Sequence, residues 1–284
     1  MHDVIAPVVD ASFLAEHPHA VLADVRWYLD GRDGHEAFRG GHLPGAIWID
    51  LDTHLAAHDL PATEGRHPLP TPEAFAASMS ALGIGDDTIV VAYDDAGGAT
   101  AGRLVVMLRM LGHEAALLDG GLVAWTADGH PLQTGDGRVA DRAAFTVTAW
   151  PADRLVDADT TAAQAAAGGV VIDARAVERF TGTVTQIDPR PGHVPGARNA
   201  PWQSVVSTDG RLLSTEELSA HYARLGIDAD HGTDAIAYCG SGVSACLNIL
   251  AIEHLGLTPP RLYVASWSGY SADLNRAAEQ GPHS

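Results

Sequence analysis

The sequence has little cysteine and no lysine. Among its 284 residues are two cysteines, Cys239 and Cys246, and all 17 of its basic side chains are arginines. Two cysteines seven residues apart do not form a disulfide framework, so we expect both to be reduced thiols. The net charge of −19 disfavours binding to nucleic acid or to anionic membranes, because both require a cationic protein surface.

Long apolar runs and targeting segments are missing as well. No stretch approaches the ~20 apolar residues that span a bilayer, and no basic segment followed by an apolar one stands at the start of the chain. The sequence therefore predicts a cytoplasmic protein without a membrane partner. The 15 histidines are scattered without the spacing of a metal site, so we expect no metal ion, and no other cofactor is implied.

What the chain does contain is one set of motifs that occurs twice. The order is an Asp-x-Arg triplet, a Gly-His-x-Pro-Gly-Ala turn, and an apolar run that ends in Tyr before a loop of small residues. The second set follows the first by roughly 145–150 residues, which indicates a tandem duplication. We predict a first domain over residues 1–140, a linker over 141–155 and a second domain over 156–284.

Each half alternates short β-type runs with helical runs. In the second half GVVIDA, DAIAYC and RLYVA are typical of buried strands, whereas TEELSAHYARLG and VSACLNILAIEHLG are typical of helices. This alternation predicts an α/β fold in each half, with a mostly parallel sheet flanked by helices. Functional loops in such sheets follow the carboxyl ends of strands, and Cys239 stands at that position.

Cys239 begins a small uncharged loop, CGSGVS, over residues 239–244. Gly240 and Gly242 permit a tight reversal of the chain. The backbone N–H groups of such a turn converge in front of a helix whose dipole is positive at its amino end. This environment lowers the pKa of a thiol and stabilises a thiolate. The alternative is a small apolar residue that ends a strand, as many free cysteines are; the Gly-x-Gly pattern disfavours it.

Taken together, these motifs resemble the two-domain rhodanese family, and most closely its 3-mercaptopyruvate sulfurtransferase branch, whose loop reads Cys-Gly-Ser/Thr-Gly-Val-Thr-Ala. The resemblance covers nearly the whole chain. It implies two similar α/β domains, the first without a nucleophile because Asp94 stands where the second has Cys239. It also implies a sulfurtransferase that moves a sulfane sulfur from a small donor, 3-mercaptopyruvate, through a Cys239 persulfide. The acceptor in this ping-pong reaction is a thiol, such as thioredoxin or a small thiol, or cyanide.

The resemblance further implies roles for individual residues. Ser241 and Asp52 match a proton-relay group, and His67 matches a histidine that lines the cleft of the family. The residues expected to hold the donor and the anionic sulfur are Gly240, Gly242, Val243, Ser244, His67, Arg179 and Arg190. No metal ligand is among the predicted site residues.

The choice of donor depends on arginines outside the loop. Relatives that prefer thiosulfate carry cationic side chains directly after the cysteine, where this chain has Gly240 and Ser241. Arg179 matches the first arginine that clamps the carboxylate of 3-mercaptopyruvate. The second clamp of the family lies nine residues further on, where this chain has Asp188, so Arg190 is the candidate for that role.

Three other functions are weighed against this one. A thiosulfate:cyanide sulfurtransferase stays open as the alternative, although the uncharged loop disfavours that donor. A persulfide carrier that does not turn over small donors stays open too, since the sequence does not show turnover. A protein phosphatase that uses a similar cysteine loop is nearly excluded, because such a loop ends in an arginine and residues 235–260 contain none.

Overall fold

The computed structural model describes residues 5–184, 187–188, 190–229 and 234–282. Its first half contains the strands β1 (Val8–Val9), β2 (Val21–Asp24), β3 (Ile47–Trp48), β4 (Val90–Tyr93) and β5 (Ala115–Leu118). The helices of this half are α1 (Ala11–Glu16), α2 (Gly34–Gly40), α3 (Leu51–Leu55), α4 (Pro72–Ala81), α5 (Ala101–Met110) and α6 (Gly121–Ala127). The strands pair in parallel in the order β1-β5-β4-β2-β3.

The second half repeats this arrangement. Its strands are β6 (Leu155–Val156), β7 (Val171–Asp173), β8 (Arg198–Asn199), β9 (Ile236–Tyr238) and β10 (Arg261–Tyr263). Its helices are α7 (Ala158–Ala166), α8 (Val177–Thr181), α9 (Thr215–Arg224), α10 (Ala245–His254) and α11 (Ser266–Ala272). The order β6-β10-β9-β7-β8, again with every pair parallel, corresponds strand for strand to the first sheet. The predicted α/β fold with two parallel sheets is confirmed.

The central strand and the helix behind it are apolar because they lie in the interior. Every residue of β9 is buried, as is typical of a parallel strand that is covered on both faces. Residues Ala245–Ile252 of α10 are buried too, and all of them except Asn248 are apolar, as is typical of a helix that is covered on every side. None of the described helices is both long and apolar enough to cross a bilayer.

The chain divides into two compact units, each built from segments that are distant in sequence. Unit 1 consists of Met1–Ala56, Pro70–Trp150 and Val206–Leu212, and unit 2 of Ala57–Leu69, Pro151–Val205 and Leu213–Ser284. Residues 57–69 come from the first half of the sequence but belong to unit 2, and they bring His67 into the unit that contains Cys239. The linker predicted over 141–155 stays a prediction.

Candidate active site

Cys239 follows β9 directly and lies at the carboxyl end of the sheet in unit 2, with 2 % of its surface exposed. The loop then turns into α10, which begins at Ala245. Gly242 makes this turn possible: its φ is +75°, and a Cβ there would lie 2.4 Å from the carbonyl oxygen of Val264. A side chain at this position would be strained and would collide with backbone, so the loop requires glycine.

The amino end of α11 holds the backbone of the loop. The amide of Cys239 donates to the Ser266 hydroxyl over 3.1 Å. In return, the amide of Trp267 donates to the Cys239 carbonyl over 3.0 Å, and that of Ser268 to the Gly240 carbonyl over 2.9 Å. The position of the cysteine is therefore fixed from both sides, by β9 and by α11.

The sulfur of Cys239 lies among hydrogen-bond donors. Burial by itself raises the pKa of this thiol, but donors outweigh it: the Ser244 hydroxyl and the backbone amides of Ser241 and Ala245. The pKa of Cys239 is lowered as a result. Ser244 caps α10, yet its hydroxyl oxygen accepts no hydrogen bond from a helix amide, and the hydroxyl donates to the sulfur instead. The geometry thus favours a thiolate, as hydrogen bonding to a charged form does.

The equivalent loop of unit 1 shows what such a turn can hold. Asp94 follows β4 as Cys239 follows β9, and its side chain is fully buried. The carboxylate accepts five hydrogen bonds of 2.8–2.9 Å, from the amides of Ala96, Gly98, Thr100 and Ala101 and from the Thr100 hydroxyl. Three of these donors correspond to the Ser241 amide, the Ser244 hydroxyl and the Ala245 amide around Cys239. Both loops therefore direct hydrogen-bond donors at one point, and in unit 1 the carboxylate of Asp94 occupies that point.

Two arginines of unit 2 flank the loop at Gly240. A Cβ on Gly240 would lie 2.7 Å from Nη2 of Arg179 and 2.9 Å from Nη2 of Arg66. Positive charge therefore stands beside an uncharged loop, although it comes from residues far away in sequence. Arg179 was among the predicted site residues, whereas Arg66 was missed. The signal for Arg66 was its position next to His67 in GRHPLP.

Asp188 lies among the arginines of this site, and its side chain is only 3 % exposed. Nη2 and Nε of Arg179 donate to its two oxygens over 2.6 and 3.0 Å. Nη1 of Arg175 and Nη1 of Arg66 approach the same carboxylate to 3.3 and 3.4 Å. Burial raises the pKa of Asp188, but the three guanidinium groups outweigh it and hold the pKa below its usual value. Asp188 is therefore a carboxylate bound by arginines inside the candidate site.

His67 and Ser241 form a buried hydrogen bond of 2.8 Å between Nδ1 and Oγ. The segment that carries His67 is attached to α11, because the amide of Arg66 donates to the Ser268 hydroxyl over 3.1 Å. The neighbouring Gly65 has φ +82°, and a Cβ there would lie 2.4 Å from the Ala265 carbonyl oxygen. This close approach of two backbones places an imidazole next to the loop.

Two predicted residues remain, Asp52 and Arg190. Asp52 belongs to unit 1, in the first turn of α3, and accepts a 2.9 Å hydrogen bond from Nε1 of Trp27. Arg190 donates through Nη2 to the carbonyls of Arg276 and Asp273, over 2.7 and 3.4 Å. It is held at the carboxyl end of α11, and it is Arg66 that accompanies Arg179 at Gly240. Among the described residues, no group of three or more His, Cys, Asp or Glu side chains is arranged to hold a metal ion.

Comparisons with known proteins agree on one family. The pattern of the Rhodanese-like domain matches residues 11–128 and 157–273. The putative thiosulfate sulfurtransferase SseB of Mycobacterium tuberculosis (strain H37Rv) is 40% identical over 271 residues, which cover 94% of this chain and 93% of that protein. The probable 3-mercaptopyruvate sulfurtransferase of Pseudomonas aeruginosa is 39% identical over 270 residues, 93% of either chain. The crystal structure of SseA from Escherichia coli, described as a 3-mercaptopyruvate sulfotransferase, superimposes with a TM-score of 0.80 at 32% identity, covering 93% of this chain and 99% of that one.

The two matched segments and these relatives show that the chain belongs to the rhodanese family. It is an enzyme of the sulfurtransferase class. The resemblance inferred from the motifs is confirmed.

Proposed function

We propose that this enzyme transfers a sulfane sulfur from 3-mercaptopyruvate to a thiol or cyanide through a persulfide on Cys239. The observation that carries the proposal is the position of the Cys239 sulfur, which is buried at a strand end and receives hydrogen bonds from Ser241, Ser244 and Ala245. A thiolate is the nucleophilic form of cysteine, and these donors stabilise it.

In the first half-reaction the Cys239 thiolate attacks the sulfur of 3-mercaptopyruvate. An S–S bond forms and the C–S bond of the donor breaks, with its electron pair passing to the carbon as the enolate of pyruvate. The proton of the donor thiol ends on that carbon, so pyruvate leaves and Cys239 retains an anionic persulfide. In the second half-reaction an acceptor thiolate or cyanide attacks the outer sulfur and releases the Cys239 thiolate. No external oxidant or reductant is needed.

The loop of unit 1 supports the idea that the second loop holds a persulfide. The outer sulfur of a persulfide lies two bonds beyond Cβ, as the carboxylate oxygens of Asp94 do. Those oxygens accept hydrogen bonds from the amides of Gly98 and Thr100, in addition to the three donors that the two loops share. We expect the amides of Val243 and Ser244 to act in the same way on the outer sulfur.

The proton transfer is assigned to the pair formed by Ser241 and His67. Their 2.8 Å hydrogen bond connects a hydroxyl two residues after the nucleophile to an imidazole, a side chain that can act as a general acid or base. Asp52 stays the proposed acidic member of this relay.

Arg179 is proposed to bind the carboxylate of the donor, since its Nη2 lies beside the loop at Gly240. The names of relatives from Pseudomonas aeruginosa and Escherichia coli point to 3-mercaptopyruvate. A second candidate donor is thiosulfate. It is favoured by the second guanidinium at the loop, that of Arg66, and by the name of the relative from Mycobacterium tuberculosis.

The acceptor is proposed to be a thiol of the cytoplasm, either a small molecule or a thioredoxin-like protein. The persulfide on a buried cysteine must be reached by a thiolate, and cyanide, being small, serves as the probe of the same half-reaction. A carrier that hands its sulfur to one dedicated partner would load Cys239 but would not turn over with cyanide.

The test is steady-state sulfur transfer to cyanide and to a dithiol, with 3-mercaptopyruvate and thiosulfate compared side by side. Cys239→Ser is the inactive control, and Cys246→Ser, which changes the buried cysteine of α10, is the matched control that retains the nucleophile. A larger kcat/KM for 3-mercaptopyruvate supports the proposal. An equal or larger value for thiosulfate favours the second candidate, and persulfide formation without turnover favours the carrier.

A further inference from the structure

The carboxylate of Asp188 accepts hydrogen bonds from the side of the Arg179 guanidinium that faces the loop. Nη2 of Arg179 lies 2.7 Å from the position that a Cβ on Gly240 would take, and the same nitrogen donates to Asp188 over 2.6 Å. Together with Nε it binds the carboxylate in the bidentate way that suits a guanidinium. A donor carboxylate that approaches the loop therefore meets an arginine whose fork is already occupied.

The charges at this place lead to the same conclusion. Arg66, Arg175 and Arg179 carry three positive charges within 3.4 Å of Asp188, and Asp173 offsets that of Arg175 through a separate 2.6 Å ion pair. Asp188 offsets a second one. The net attraction for an incoming anion is therefore much smaller than the number of arginines suggests.

There is room for a ligand next to this carboxylate. A cavity of about 300 Å³ in unit 2 is lined by Ala62, Gly65, Arg66, Ile187, Asp188 and Ser268. A molecule in this cavity contacts Asp188 and Arg66 at once. An anion there gains from Arg66 and is repelled by Asp188.

We propose that Asp188 is a specificity-determining residue: it is an internal competitor for the donor's carboxylate at Arg66 and Arg179, and it weakens the binding of carboxylate ligands. The inference rests on the proposed function in taking these arginines as the donor site. It follows that the enzyme has a low affinity for 3-mercaptopyruvate, and that replacing Asp188 by an uncharged residue raises this affinity. The opposite possibility is that Asp188 positions the arginines for the donor, in which case the same substitution weakens binding.

The experiment measures binding without turnover. In the Cys239→Ser protein, titration calorimetry gives the Kd of pyruvate, which has the carboxylate of the donor but no sulfur, and of its neutral methyl ester. We expect Asp188→Asn to tighten pyruvate binding about tenfold, or about 1.4 kcal/mol, and to leave the ester unchanged. In the enzyme with Cys239 intact, the same change should lower KM for 3-mercaptopyruvate while kcat stays the same.

Asp234→Asn is the matched control. It removes one negative charge from unit 2, where Asp234 pairs with Arg261 at the opposite end of β9, and it should leave both Kd values unchanged. If Asp188→Asn does not fold, as judged by circular dichroism, Asp188→Ser removes the same charge with a smaller side chain. A Kd for pyruvate that stays the same or rises overturns the inference, and so does an equal gain for the ester.

The two proposals fail in different ways. If 3-mercaptopyruvate loads sulfur onto Cys239 but Asp188→Asn leaves pyruvate binding unchanged, only the inference about Asp188 is wrong. If Asp188→Asn tightens pyruvate binding but no sulfur reaches Cys239, the assignment of 3-mercaptopyruvate as donor is wrong, and the inference that Asp188 competes with carboxylate ligands is still supported.

Discussion

The hydroxyl of Ser244 is a side-chain donor that lowers the pKa of Cys239, so Ser244→Ala tests the electrostatic basis of the site. A hydrogen bond to a charged group contributes about 1.5–3 kcal/mol, and one pKa unit corresponds to about 1.4 kcal/mol. Removing this donor destabilises the thiolate relative to the thiol, so we expect the pKa of Cys239 to rise. With less thiolate at neutral pH, sulfur uptake slows there and recovers in more alkaline buffer.

The assay is the rate of alkylation of Cys239 by iodoacetamide as a function of pH, followed by mass spectrometry of the peptide that contains it. Ser241→Ala is the matched control, because Ser241 acts on the sulfur through its backbone amide and its hydroxyl is bonded to His67. This variant should retain the inflection of the parent enzyme. If Ser244→Ala leaves the inflection in place, or Ser241→Ala moves it equally, the hydrogen-bond argument is wrong.

Two further predictions concern the arginines and the loop of unit 1. Arg179→Gln should raise KM for 3-mercaptopyruvate about tenfold or more, because it removes a charged partner of the donor's carboxylate. Arg190→Gln should leave KM unchanged, because the Arg190 guanidinium donates to backbone carbonyls at the end of α11. Equal effects of the two variants in steady-state kinetics would contradict the placement of the donor. Asp94→Ala should lower the free energy of unfolding by about 3 kcal/mol or more, since five donors lose a buried acceptor. A loss below about 1 kcal/mol in urea unfolding would refute the view that the carboxylate holds this loop together.

The sequence predicted the fold because its signals are local and are repeated. Alternation of short apolar runs with helical runs predicts parallel strands wherever it occurs, and the duplication applies the same pattern twice. The loop at Cys239 could be predicted for the same reason, since its glycines and the strand before it are contiguous. Its correspondence with Asp94 needed only an alignment of the two halves.

What the sequence did not predict are contacts between distant segments. Arg66 reaches the loop because residues 57–69 belong to unit 2, and nothing local in GRHPLP indicates that this segment packs with the second half of the chain. The same packing places His67 on Ser241. The hydroxyl of Ser266 accepts a hydrogen bond from the Cys239 amide, and the backbone of Ser266 is left-handed with a φ of 52°. Nothing in the residues SWSG predicts this conformation.

Departures from the family pattern were visible in the sequence, but their consequences were not. Asp188 was recognised as the residue at the second arginine position, whereas its bidentate ion pair with Arg179 could be found only from the coordinates. Likewise, Ala265 stands at the turn before α11, where the equivalent turn of unit 1 has Gly120. The equivalent Gly120 has a left-handed φ of 76° and Ala265 a right-handed one of −62°, so the two turns differ because alanine avoids positive φ.

The central claim is that Cys239 carries the sulfur between donor and acceptor. The most direct measurement is the intact mass of the enzyme after reaction with 3-mercaptopyruvate alone, together with the amount of pyruvate released and the mass of the peptide that contains Cys239. The account predicts one added sulfur atom per chain on Cys239, one equivalent of pyruvate, and loss of that sulfur when cyanide is added. Release of pyruvate without a sulfur on Cys239, or the same added mass in Cys239→Ser, would contradict it.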